Sequence, residues 1–109
     1  MQVYPLVFKY KQWIQGQTVS AGVEFVGHIL MTFEDGEWWA TGVTPGGIAE
    51  SGATIEEAYG NFKRFMTGVL IDHADRAGDF EAFHKDLASF VGQTNRPDAK
   101  RWTEAREQV

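Results

Sequence analysis

Four carboxylates, Glu34, Asp35, Glu37 and Glu50, stand close together in the β-rich half of this sequence. Carboxylates brought together from strand ends are what a divalent cation needs for ribonuclease-type hydrolysis. Three of the four cluster at one Asp-Gly turn, however, and charged residues there serve solubility and turn geometry. The histidines offer no second centre. His28, His73 and His84 include no pair at the i, i+4 spacing of a helical zinc site, and His73 falls on an apolar helical stripe as a boundary residue. With no cysteine, thiolate ligands, disulfides and a cysteine nucleophile are excluded. No serine sits in a nucleophile elbow. The glycines of "TPGGIAESG" lack the spacing and the following lysine of a phosphate cradle. No metal and no cofactor are expected. The alternative kept open is a metal-dependent nuclease on a ribonuclease H-like sheet.

What remains is surface recognition. Trp13, Trp38, Trp39 and Trp102 supply aromatic area, and tryptophan is enriched at binding hot spots. Adjacent strand residues point to opposite faces, so Trp38 and Trp39 cannot both enter one core. With Ile29, Met31 and Phe33 placed under a helix, Trp39 is expected beneath it, beside Phe33, and Trp38 outside, beside Glu34. Trp13, Trp38, Trp39 and Glu37 are therefore the candidate binding residues.

The elements that position these residues follow from pattern. "YPLVFKYKQW" alternates as a strand, and "TVSAGVEFVG" is a second strand or an irregular return. "HILMTF" and "WWATGV" flank Asp35-Gly36 and give a hairpin over residues 28–43. "GIAES" is one short strand. From Ile55 the apolar positions 55, 58, 59, 62, 65, 66, 69 and 70 follow a helical ladder, predicting a main helix over 55–76. Thr54 and Glu57 form a capping box at its start. Asp79 caps a second helix over 80–91, and residues 93–109 form a tail or a short helix with Pro97 in its first turn. Strands first and helices after predict one α+β domain over residues 1–92. It is a small, mostly antiparallel sheet with helices packed on one face.

The 109 residues carry a net charge of −5. Residues 1–50 hold two lysines against five acids, and residues 51–109 hold eight bases against ten. This balance disfavours nucleic acid as a ligand on its own, and the mixed run around Lys100, Arg101 and Arg106 reads as a solvated helix face. RNA stacking on open-sheet aromatics is the weaker alternative. The apolar runs are far shorter than a membrane span and the N-terminus lacks a signal pattern, so a cytoplasmic protein is expected.

A hairpin, then Pro45-Gly46, then "GATIEEA" with Gly52, Thr54, Ile55, Glu56, Glu57 and Ala58, resembles the HicB-like antitoxin family over roughly residues 28–72. Gly47 stands where that family often has cysteine, and Ala53 replaces its aspartate. The resemblance implies a partial ribonuclease H-like fold without catalytic carboxylates. It also implies a non-enzymatic role in binding a small basic, RNA-cleaving toxin within a toxin-antitoxin system. No DNA-binding pattern follows residue 92. A homodimer, joined through a sheet edge or uncovered face, is the expected state.

Overall fold

Seven elements follow one another in the computed structural model, which describes residues 3–108. They are β1 (Val3–Gln15), β2 (Ser20–Glu34), β3 (Glu37–Thr44), β4 (Gly46–Gly52), α1 (Ile55–Arg76), α2 (Phe80–Gly92) and α3 (Arg96–Glu107). The strands pair antiparallel in chain order as one four-stranded open sheet. The α+β class read from the sequence holds.

"TVSAGVEFVG" and "HILMTF" are one strand rather than two. β1 pairs with β2 from Val3 opposite Thr32 to Gln15 opposite Ser20, so a partner ladder bridges the glycines that break the pattern. Gly27 is the seat of the Phe8 ring: a Cβ there would lie 2.4 Å from Phe8 Cζ.

At the Asp35-Gly36 turn both residues have positive φ, 53° and 78°, as the favoured two-residue hairpin requires. The turn pairs Glu34 with Glu37, Phe33 with Trp38 and Thr32 with Trp39. Trp38 thus shares a face with Phe33, Met31 and Ile29, and Trp39 lies on the other. This reverses the expectation that Trp39 is the inner ring. The reason is arithmetic: with residues 35 and 36 in the turn, opposed positions sum to 71, so Phe33 meets Trp38.

The face bearing Ile29 and Met31, here the front, carries the main core. α1 lays Ala58, Phe62, Met66, Leu70 and Ala74 against Phe8, Tyr10, Ile14, Ile29, Met31 and Ala40, and α2 adds Phe83 and Phe90. Each large apolar side chain buried there contributes about 1.5–3 kcal/mol. Thr54 caps α1 by accepting from the Glu57 amide at 3.1 Å. Only this half of the capping box forms, since the Glu57 carboxylate makes no return bond among the described residues. Gly52 admits the helix start closely, because a Cβ on it would lie 2.6 Å from the Ala58 nitrogen.

The segment after α2 crosses to the back face. Gly46 donates to the Gln93 carbonyl at 2.9 Å and Asn95 donates to the Val43 carbonyl at 3.0 Å, so the linker wraps the end that follows the cis Thr44–Pro45 peptide. Asn95 then caps α3 by accepting from the Asp98 amide at 3.1 Å, with Pro97 in the first turn. α3 sets Trp102 on Leu30 and Val43 as a second, smaller core. The expected placement of helices on one face therefore holds for α1 and α2 and not for α3. Trp102 supplies the reason: it brings apolar area to Leu30 and Val43, and its indole N–H donates to the Leu6 carbonyl at 3.2 Å.

Candidate protein-binding site

Where β1 begins and the β2–β3 hairpin ends, three front-face aromatics meet. Phe33 and Trp38 are an opposed pair with ring centroids 5.2 Å apart, and Tyr4 stacks on Trp38 at 6.0 Å. Trp38 reaches the edge of the main core while Tyr4 and Phe33 stay 45% and 40% exposed. α1 leaves this corner open because it starts beside Gly52 and runs away from it, towards Gly16 at the opposite end of the β1–β2 ribbon. The cluster is therefore a patch with an anchored centre and a wet rim.

The rim is acidic. Glu34, Asp35 and Glu37 lie at the hairpin tip, and the Glu57 backbone passes over Gly52, the residue opposite Trp38. Opposed Glu34 and Glu37 repel each other, and a cation arriving there relieves that repulsion.

The sequence-derived candidates separate. Trp38 and Glu37 belong to this corner. Trp39 is half-buried on the back face opposite Thr32 and Ser51. Trp13 lies far along the same back face, 64% exposed, its indole N–H donating to the Gln15 side chain at 3.0 Å. Pro45, Gly46, Gly52, Thr54 and Glu57 serve the wrap and the helix start. Tyr4 and Phe33 were not among the candidates; counting the register correctly across Asp35-Gly36 brings Phe33 to Trp38.

The four carboxylates do not converge. Glu34 and Glu37 follow the back-face parity of Thr32 and Trp39, whereas Glu50 opposes Ala40 on the front. Among the described residues no group of three or more His, Asp or Glu side chains could hold a metal ion. Nor is any helix of the described residues long and apolar enough to cross a membrane. Fold and corner together define an α+β domain with an aromatic surface patch beside an acidic hairpin tip. No family model matches the chain, and no curated protein or solved structure matches it.

Proposed function

We propose that this chain is a non-enzymatic protein-binding domain of HicB-like fold, antitoxin-like or regulatory, which docks a small basic partner on the Tyr4–Phe33–Trp38 corner. The observation that carries this reading is the exposed aromatic cluster of Tyr4, Phe33 and Trp38 beside an acidic hairpin tip, Glu34, Asp35 and Glu37, and the acidic start of α1. Aromatic anchors supply the desolvated centre of an interface, and rim charges steer a partner of opposite sign. The dimer belongs to the same reading. Val7, Trp13 and Val26 are exposed on the back face, and a second copy packed back to back would remove them from water.

The test is affinity capture from the native host with wild type and Trp38→Ala, followed by an RNA-cleavage assay of the retained protein. Wild type is expected to hold a small basic protein and to suppress its cleavage of RNA. Trp38→Ala should weaken that hold about thirtyfold, the size of a hot spot, without unfolding the chain. Retention of no basic protein, or cleavage that this chain leaves untouched, rejects the antitoxin-like reading.

A further inference from the structure

β1 is an edge strand of 13 residues, and its hydrogen-bonding parity is fixed at both ends of the sheet. Gly16 donates to the Val19 carbonyl at 2.9 Å, so the even positions of β1 face β2 in the alternation of an antiparallel ladder. The two-residue turn at Asp35-Gly36 makes Glu34 and Glu37 a bonded pair and leads to the same parity from the other side. Positions 5, 7, 9, 11 and 13 therefore turn their backbone groups outward. Pro5 fits this, since a proline on an edge strand has its missing N–H on the open side. The amides of Val7, Lys9, Lys11 and Trp13 are left without a neighbouring strand.

A groove follows that edge beneath α1. One hollow of it, 360 Å³, is walled by Leu6, Phe8, Ile55 and Tyr59 with Glu56 beside them, and a separate one, 520 Å³, by Gln12, Lys63, Arg64 and Ile71. In a chain of net charge −5, four bases flank this edge, Lys63 and Arg64 in front and Lys9 and Lys11 behind, against two acids, Glu56 at the front hollow and Glu24 opposite Lys11. Lys9 meets Glu24 at 3.1 Å, whereas Lys11, Lys63 and Arg64 have no carboxylate within 4.0 Å among the described residues. We propose that the open edge of β1 docks an extended acidic segment of another protein, which adds to the sheet as a fifth strand. Its front-facing side chains are apolar over Ile55 and Tyr59 and acidic over Lys63 and Arg64. Its back-facing ones are acidic over Lys9 and Lys11. Main-chain bonds give such a strand its affinity and the alternate pockets its specificity. A second copy fits this edge poorly, because antiparallel pairing of β1 with itself gathers Lys9 and Lys11 of both chains on one face. The surface adjoins the aromatic corner, Tyr4 being two residues from Leu6 on β1, and takes a partner of opposite charge.

The test selects binders from a library of random decapeptides on the full chain and follows amide exchange by NMR. Acid-rich peptides with alternating apolar residues should be recovered, and they should slow exchange at Val7, Lys9, Lys11 and Trp13. Val7→Pro removes one outward donor without touching the β1–β2 ladder, and Lys63→Glu with Arg64→Glu reverses the groove charge. Each should weaken binding about tenfold or more with the circular dichroism spectrum unchanged. Recovery of basic peptides, no recovery, or affinities of both variants equal to that of wild type overturns the proposal. So does slow exchange at the odd amides of a free dimer, which gives the edge to a second copy. Binding of single-stranded RNA in a Trp13-dependent manner where peptides fail overturns it as well.

Discussion

The two edges of this sheet are managed in opposite ways. β4 has seven residues, and the Asn61 side chain of α1 donates to its outward Ser51 carbonyl at 2.8 Å. β1 has nearly twice the length and no such cover; it carries Pro5, Lys9 and Lys11 instead. Short strands and caps close an edge, whereas charges leave it open and only discourage the wrong neighbour. An edge guarded by lysines is closed to other lysine-bearing strands and open to acidic ones, which is why it reads as a selective docking site.

Proline substitution breaks the comparison most strongly. Gln12 has an exposed side chain but an inward N–H paired against Val23, so Gln12→Pro removes a ladder bond and strains the strand. The expected loss is about 3 kcal/mol or more, a large part of the 5–15 kcal/mol typical of a domain. Val7→Pro, on the outward parity, should cost a small fraction of that. Urea denaturation of the two variants decides it. Equal losses would mean that the parity assigned to β1 is wrong.

At the other edge the effect is smaller. Asn61→Ala removes the bond to Ser51 and should cost about 1 kcal/mol, with a shifted urea midpoint and an unchanged slope. Because β4 is short, the variant should stay as dispersed as wild type in light scattering. Association of Asn61→Ala would make β4, not β1, the edge in need of protection.

How much of this was legible beforehand differs by element. α1 was readable to its ends because Thr54 caps it, eight apolar positions keep the helical period, and Gly78 follows closely after Arg76. The hairpin was readable because Asp-Gly allows few other turns. β2 was not, since Gly22 and Gly27 break its alternation, and their use emerges only across the ladder. Gly27 lies under Phe8, and a Cβ on Gly22 would sit 4.0 Å from the Trp13 ring. The aromatic corner was half legible: Trp38 and Glu37 were singled out, but the face was inverted by a one-residue slip of register, which exchanges all inner and outer side chains. The open edge was invisible, because edge or centre is decided by strand order and not by local pattern.

The weakest effect concerns the tie that holds α1 down on β1 beside that edge. The Tyr10 hydroxyl meets Thr67 Oγ1 at 2.7 Å, and burial raises its pKa above the ordinary 10.0, opposed in part by the Thr67 bond. Tyr59, in the groove wall, is raised by burial as well. Below about pH 10 both folded and unfolded chains keep the phenol protons, so neither tyrosine makes stability depend on pH. Above it the unfolded chain ionises first, and stability falls until pH passes the folded value. Tyr10→Phe should therefore lose about 1 kcal/mol at neutral pH through the missing bond, and the gap to wild type should narrow as pH rises beyond about 10. Urea midpoints of both proteins across that range measure it. Lysine titration is common to the two chains and drops out of the difference. A gap that stays constant would show that the Tyr10 hydroxyl is as well solvated folded as unfolded, and the tie between α1 and β1 would then rest on ring packing alone.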